Sequence, residues 1–206
     1  MSNAATTKDE AQTQFDLLCQ QWRDIAVGGA SQQARKFYRN SLLPVIAHRI
    51  ALSGTTEFAG NPVSGLVSFV GTTPETTILV TEATRPANLL LVASHGVQES
   101  VNAILDWFQS KRSADRANPL VTTVFCDPVN PKQMKDAVTS WIALQRKACD
   151  GARLCIDATG GKKSMSMTAG MLAVTHQLEL LYLDSEFDHA LRAPRPGSEH
   201  LVVIAP

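Results

Sequence analysis

Short apolar runs that alternate with helix-like segments limit most strongly how this chain can fold. From residue 65 onward, four such runs each end in a polar turn that leads into a helical pattern: 66–70, 88–93, 120–126 and 153–156. Two further apolar runs, 180–183 and 201–204, close the chain. Near-continuous apolar strands that alternate with helices are typical of a parallel sheet covered on both faces. The pattern therefore predicts an α/β domain of the doubly wound kind, with a mainly parallel sheet.

The first third of the chain has a different pattern. Apolar residues at helical spacing predict one helix over residues 8–27 and a second over 31–51, which Pro44 is expected to bend. Glycine and proline residues make the stretch 53–64 typical of a loop or linker. We therefore expect an N-terminal helical segment, residues 1–63, followed by a Rossmann-like domain with helices on both faces, residues 64–206.

Composition and charge exclude several classes of protein. Of the 206 residues, 44% are hydrophobic and 18% are charged, and the formal net charge is zero. This balance is typical of a globular soluble protein and lacks the basic field of a protein that coats nucleic acid. The polar N-terminus and the absence of a long apolar stretch predict no secretion signal and no membrane segment. A cytoplasmic protein that does not bind duplex nucleic acid is expected.

The sulfur-containing residues are expected to be structural. The four cysteines show no C-x-x-C spacing, and Cys126 and Cys155 lie inside apolar runs, which predicts buried free thiols. The methionines at positions 165, 167 and 171 are expected to fill the core. No spacing of histidines or cysteines predicts a metal site.

A glycine-rich turn that carries two lysines is the most informative motif for function. The apolar run 153–156 is followed by Asp157, Ala158 and the turn Thr159-Gly160-Gly161-Lys162-Lys163, and a helical pattern comes next. Two adjacent glycines let the backbone approach a ligand closely. The free N–H groups of the next helical turn, together with the helix dipole, favour a bound anion. The motif predicts a phosphate-binding turn.

This turn is not a Walker A loop. Ile156 stands where the first glycine of that motif belongs, and Lys163 rather than Ser or Thr follows Lys162. No hydroxyl is therefore placed to bind Mg²⁺, which disfavours an NTPase. The G-x-G-x-x-G fingerprint of dinucleotide-binding domains is absent as well. Taken alone, the motif leaves open a turn whose lysines only solubilise the surface.

Two more polar turns are expected at the same edge of the sheet. Residues 71–74 follow the first strand and Ser94-His95 the second. In doubly wound sheets, ligands bind beyond the carboxyl ends of the strands, where the strand order switches. Pro74 predicts a helix start, with Thr72 and Glu75 as a capping box. Asp157 is expected to turn inward and accept hydrogen bonds from backbone N–H groups, rather than to hold a metal.

Two stretches of the sequence together resemble a known family. The segment that opens GLVSFVGTTPE and runs over residues 65–94 is similar to the opening of a CARF domain, the CRISPR-associated Rossmann-fold sensor. Residues 157–165, DATGGKKSM, are similar to that family's second motif, DxTGGxKxM. The resemblance covers about residues 64–206 and leaves residues 1–63 without a match. The resemblance does not indicate which effector the chain would control.

The resemblance implies a homodimer that binds cyclic oligoadenylate, the second messenger of type III CRISPR antiviral defence, across its two-fold axis. It implies neither a metal nor a cofactor. Lys163 aligns with the lysine of the family motif, whereas Lys162 takes its variable position. The candidate ligand-binding residues lie on the three polar turns: Gly71, Thr72, Thr73, Pro74, Ser94, His95, Thr159, Gly160, Gly161, Lys162 and Lys163.

Two alternative functions stay open. Some members of the family are ring nucleases, which cleave the cyclic ligand without a metal by attack of a ribose 2′-OH on the adjacent phosphate. The candidate residues for such a step are Lys163, Ser68, Thr72 and His95. The other alternative is a Rossmann-like enzyme that acts on a nucleotide or sugar phosphate. That enzyme would have a pocket within one chain and a catalytic acid near Asp127.

Overall fold

The computed structural model describes residues 3–110 and 117–204. The chain divides into two compact units. One contains the residues up to 49 together with 185–200, and the other contains residues 50–184 together with the chain from 201 onward.

The described residues form helices and strands in an order close to the one predicted. The helices are α1 (Asn3–Val27), α2 (Ser31–Phe37), α3 (Leu43–Glu57), α4 (Pro74–Thr84), α5 (Gln98–Ser110), α6 (Pro131–Ala148) and α7 (Lys163–His176). The strands are β1 (Gly65–Val70), β2 (Asn88–Ala93), β3 (Leu120–Phe125), β4 (Leu154–Asp157), β5 (Glu179–Asp184), β6 (Phe187–Asp188), β7 (Ala193–Pro194) and β8 (His200–Ile204). None of the described helices combines the length and the apolar character needed to cross a bilayer.

The larger unit is built on a six-stranded sheet. Its strand order is β3-β2-β1-β4-β5-β8, and the four pairings among the first five strands are parallel. The prediction of a mainly parallel α/β sheet is confirmed. Successive strands add on one side of β1, and the chain then crosses to the other side to form β4. The switch point of the sheet therefore lies between β1 and β4.

Helices cover both faces of this sheet, as predicted. Side chains alternate between the faces of a strand. On β1, Phe69 belongs to a core formed with α6 and α7, whose members include Met134 and Met165. The preceding residue, Ser68, points to the opposite face of the sheet, where its hydroxyl lies 3.0 Å from the hydroxyl of Thr77 on α4. Each face of β1 is thus buried beneath a helix.

The helix that leads into the sheet differs from the prediction in two ways. A π-helical turn, Tyr38–Leu42, directly precedes α3. Pro44 is the second residue of α3, a position where a missing backbone N–H is tolerated. The helix then continues to Glu57, so the loop predicted from residue 53 is wrong for its first five residues. Gly54 lies within the helix because α3 packs closely on α4. A β-carbon at Gly54 would stand 1.9 Å from the carbonyl oxygen of Ala83.

The smaller unit contains a hairpin that the sequence did not predict. Strands β6 and β7 pair in antiparallel register, with Phe187 opposite Pro194. Asp188 organises the turn, because its Oδ1 accepts hydrogen bonds from the backbone N–H groups of Ala190 and Leu191. Arg23 of α1 pairs with the same carboxylate at 3.4 Å. These contacts lower the pKa of Asp188, the two backbone hydrogen bonds more than the charge of Arg23.

The sulfur-containing side chains follow the prediction only in part. Cys126 and Cys155 are free and buried, and burial raises the pKa of Cys155 to about 12. Met165 is buried, as predicted, but Met167 and Met171 are 71% and 54% exposed. The prediction of core packing is wrong for these two methionines. They lie on the outer face of α7, whereas Met165 faces the sheet.

Candidate functional site

Two glycine turns meet at the switch point of the sheet. One follows β1 at Gly71 and the other follows β4 at Gly160 and Gly161. A β-carbon at Gly160 would lie 2.1 Å from the carbonyl oxygen of Phe69, and one at Gly71 would lie 2.7 Å from the backbone nitrogen of Gly161. Gly161 also has a positive φ of 83°, which favours glycine. The turns are therefore in backbone contact, and any larger residue would separate them.

A buried carboxylate fixes the turn after β4. Asp157 is fully buried, and its Oδ1 accepts a hydrogen bond of 2.8 Å from the backbone N–H of Thr159. Its Oδ2 accepts a second hydrogen bond, 2.7 Å long, from the hydroxyl of Ser68. The expectation that Asp157 turns inward to hold backbone N–H groups is confirmed. Burial raises the pKa of this carboxyl, and the hydrogen bonds from Thr159 and Ser68 oppose that shift.

Thr159 joins the turn to the next strand. Its hydroxyl oxygen accepts a hydrogen bond of 2.8 Å from the backbone N–H of Leu183 in β5. The carbonyl of Gly160 accepts a hydrogen bond of 3.3 Å from the hydroxyl of Ser166 on α7. The Thr-Gly-Gly turn is thus attached to the strand on one side and to the following helix on the other. Its backbone is held in place before any ligand arrives.

The Lys162 side chain does not cap the N-terminus of α7, and the one side-chain contact recorded at this N-cap is weak, from the backbone N–H of Lys162 to the Sδ of Met165 at 3.5 Å. Lys162 occupies the N-cap position with extended backbone, φ −79° and ψ 160°, and its ammonium group has no acceptor with which to cap the helix. The carbonyl of Lys162 accepts the N–H of Met165 at 2.8 Å. The side chains of Lys162 and Lys163 are exposed. The helix dipole and two ammonium groups therefore favour an anion at this end of α7.

The turn after β1 presents two exposed hydroxyls. Thr72 and Thr73 are exposed, whereas Pro74 is buried at the first position of α4. Thr73 is the N-cap residue and makes no side-chain capping bond, so the capping box predicted for Thr72 and Glu75 is wrong. The carbonyl of Thr73 instead accepts a hydrogen bond of 2.9 Å from the hydroxyl of Thr76. The Thr72 side chain makes none of the hydrogen bonds found for the described residues.

His95 lies at the third turn, where β2 ends. The strand closes at Ala93, Ser94 is extended, and His95 opens a short 3₁₀ turn, His95–Val97. The imidazole stacks on the ring of Phe125, with 5.1 Å between centroids and 14° between planes. Sequence reasoning missed Phe125, because it reads as one more apolar residue of β3. Neighbouring strands lie about 5 Å apart, so this turn is next to the one that follows β1.

Two residues predicted to take part in chemistry have other contacts. Ser68 is fully buried, and its hydroxyl is shared between Asp157 and Thr77. Ser68 therefore stabilises the turn after β4 through its hydrogen bond to Asp157. Asp127 is exposed, but its Oδ1 accepts the backbone N–H of Val129 at 3.0 Å and thereby shapes the loop after β3. Among the residues that the structure describes, no three His, Cys, Asp or Glu side chains group together as they would to hold a metal ion.

Comparison with known proteins gives likenesses in fold only. No protein-family model and no curated protein matches the chain. Among solved structures, Enterococcus italicus Csm6 bound to cyclic hexa-2'-fluoro-hexa-dAMP is similar over 60% of this chain, at 14% identity and a TM-score of 0.48. Can2 from Sulfobacillus thermosulfidooxidans in complex with cyclic tetra-adenylate is similar over 58%, at 14% identity and a TM-score of 0.46. The chain covers 34% of the first protein and 32% of the second.

Proposed function

We propose that this chain is a CARF-type sensor that binds cyclic oligoadenylate, with residues 64–206 as the sensor domain. The proposal rests above all on the contact between the turn at Gly71 and the turn at Gly160-Gly161, beside the N-terminus of α7. Both family motifs found in the sequence thereby form one surface at the switch point of the sheet. The proposal places the protein in the cytoplasm, in antiviral CRISPR signalling, without a metal or a cofactor.

The chemistry of this surface suits a phosphodiester. The backbone N–H groups of the first turn of α7 and the dipole of that helix favour negative charge. Lys162 and Lys163 are exposed and add two full positive charges. Hydrogen bonds to a charged group contribute about 1.5–3 kcal/mol each, which helps to offset the loss of translational and rotational freedom on binding. Because the glycines carry no β-carbon, the backbone itself forms the floor of the site.

A cyclic ligand also suggests how two chains would share it. A ring with an even number of identical nucleotides has a two-fold axis, and an isologous dimer presents the same surface from each subunit across such an axis. Each subunit would then offer its Lys163 and its glycine turns to one half of the ring. We propose one ring per homodimer for this reason.

Ring cleavage is the alternative, and the exposed side chains at the same edge favour it as a second candidate. The ribose 2′-oxygen would attack the adjacent phosphorus while the bond to the 5′-oxygen of the next nucleotide breaks, which leaves a 2′,3′-cyclic phosphate. Lys163 would stabilise the charge that develops on the phosphoryl oxygens. Thr72 and His95 are exposed at this edge, whereas Ser68 is fully buried.

Calorimetric titration with cyclic tetra-adenylate and cyclic hexa-adenylate tests the proposal. We expect binding of one of the two rings, and a loss of tenfold or more in affinity in Lys163→Ala, which removes one charge-assisted contact from each subunit of the dimer. Lys147→Ala is the matched control, because Lys147 is also exposed but lies in the last turn of α6. Equal loss in both variants would contradict a specific site. Chromatography of the ligand afterwards distinguishes an intact ring from linear products, which would favour the ring nuclease.

A further inference from the structure

The stacked pair of His95 and Phe125 is a feature that the phosphate chemistry of the site does not use. Phe125 is the last residue of β3 and is half-buried, whereas His95 is exposed. The two rings lie nearly parallel, with their centroids 5.1 Å apart. One face of the imidazole is therefore covered by Phe125, and the exposure of His95 leaves the rest of the ring open to solvent. We call His95 and Phe125 the stacking platform.

The stacking platform is held at a fixed place relative to the anion-binding turn. His95 follows β2, the Thr-Gly-Gly turn follows β4, and only β1 lies between these two strands. Because neighbouring strands are about 5 Å apart, the distance from His95 to the turn is about 10 Å across the sheet. A hydrogen bond also joins α7 to the loop that follows β3. The hydroxyl of Ser164, in the first turn of α7, donates to the carbonyl of Pro128 at 2.7 Å. Pro128 follows Phe125 by three residues.

A phosphate-binding turn by itself does not distinguish a nucleotide from any other phosphate ester. Backbone N–H groups and lysines contact only the phosphoryl oxygens and read nothing of the base. A flat π surface about 10 Å away supplies what is missing, since every base has a face that stacks on an aromatic ring. His95 is well suited to this role because Phe125 already holds its ring in one orientation.

We propose that the stacking platform binds a purine base of the ligand, stacked on the open face of His95, while the phosphates lie at the Thr-Gly-Gly turn. This inference rests on the proposed function and deepens it, because it assigns the residues that recognise the nucleobase. His95 then acts through the face of its ring. Phe125 is a positioning residue, which fixes the plane of the imidazole from behind.

Substitutions at His95 separate stacking from other roles. We expect His95→Ala to weaken binding of cyclic tetra- or hexa-adenylate by at least about fivefold, because each subunit of the dimer loses one stacked base. His95→Phe keeps a flat ring and is expected to retain the wild-type affinity. His189→Ala, at an exposed histidine of the other unit, is the matched control and should bind as the wild type does. Unchanged affinity in His95→Ala, or equal loss in His95→Phe and His95→Ala, overturns the proposal.

A second measurement distinguishes failure of the platform from failure of the proposed function. The imidazole C–H resonances of His95 are identified by their loss in His95→Phe and followed by NMR in the wild-type protein. Adenosine 5′-monophosphate should move them upfield through the ring current of the stacked base, whereas ribose 5-phosphate should not. If no cyclic ring binds, the proposed function fails, and a base-dependent shift with the monophosphate still supports the platform. If the resonances respond equally to both compounds, or to neither, the platform is refuted whether or not a ring binds.

Discussion

Gly160 and Phe69 lie so close that a β-carbon at Gly160 would stand 2.1 Å from the carbonyl oxygen of Phe69. The turn after β4 therefore rests directly on the backbone of β1. Glycine is required there for contact between two backbones, and the φ of Gly161, 83°, adds a conformational requirement one residue later. The position of the Thr-Gly-Gly turn follows from this packing of neighbouring strands.

Gly160→Ala should displace the turn. The added methyl group meets a carbonyl oxygen that belongs to a central strand, so we expect a loss of about 1–3 kcal/mol or more in the free energy of unfolding. Affinity for the cyclic ligand should fall as well, because the first turn of α7 moves with the glycine. Urea denaturation and calorimetry measure the two effects.

Gly170→Ala is the matched control for that substitution. Gly170 lies within α7, and a β-carbon there meets nothing within 4 Å. Alanine in a helix interior is expected to stabilise the protein by about 0.5–1 kcal/mol relative to glycine, without an effect on affinity. If both variants behaved alike, the close contact between Gly160 and Phe69 would not be the cause of the loss.

Ser68→Ala tests whether the buried hydroxyl supports the turn or takes part in chemistry. Its removal leaves Oδ2 of Asp157 without the hydrogen bond from Ser68, which is expected to cost about 1–3 kcal/mol of stability. Any ring cleavage should continue in the variant under conditions where it is folded. Loss of cleavage with unchanged stability would instead show that Ser68 reaches the ligand.

The pKa of Asp157 predicts how stability depends on pH. Burial raises the pKa of this carboxyl on folding. Its contribution to the free energy of unfolding is therefore fully present below the ordinary aspartate pKa of about 4, and it is lost as the pH rises through the higher pKa of the folded state. Asp157→Asn stays uncharged and keeps an oxygen that can accept the N–H of Thr159. We therefore expect the free energy of unfolding of the variant, minus that of the wild type, to increase from pH 4 to pH 8.

Urea denaturation of both proteins at pH 4, 6 and 8 measures this difference. Groups that titrate alike in the two proteins cancel in the subtraction, so the remaining trend reports on residue 157. A difference that stays constant or falls with pH would mean that folding does not raise the pKa of the Asp157 carboxyl.

The methionines of α7 give a matched pair for the packing of this helix. Met165 is 1% exposed and belongs to the core, so Met165→Ala should destabilise the protein by about 2–5 kcal/mol. Met167 is 71% exposed, and Met167→Ala should change stability by no more than about 0.5 kcal/mol. Thermal unfolding of the two variants checks this. A large loss in Met167→Ala would place that side chain in a contact that the single chain does not show.

The fold class and the meeting of the two glycine turns were predictable because they depend on short-range patterns. Alternating apolar runs gave the parallel sheet, and its strand order brings the turns at Gly71 and Gly160-Gly161 together at the switch point. The inward turn of Asp157 was also predictable, since an exposed carboxylate beside the Thr-Gly-Gly turn would repel the anion that we propose for it. These inferences needed only local sequence and general rules of α/β sheets.

Other features depend on which distant residues meet, and no local pattern specifies that. Gly54 suggested a loop, but it lies inside α3 because the chain approaches Ala83 of α4 there. Met167 is apolar and was therefore expected in the core, but it lies on the opposite side of α7 from the buried Met165 and is exposed. The stacking of His95 on Phe125 joins residues 30 positions apart, one in the turn after β2 and the other at the end of the adjacent strand β3. Only the register of β2 and β3 reveals it.

Native mass spectrometry of the whole chain with cyclic tetra- and hexa-adenylate tests the central claim most directly. The spectrum counts both protein chains and ligand in one species, which a binding isotherm does not. We predict a complex of two chains with one intact ring, which is absent or strongly reduced in Lys163→Ala and present in Lys147→Ala. A folded protein that carries neither ring, or one ring on each single chain, would contradict the account.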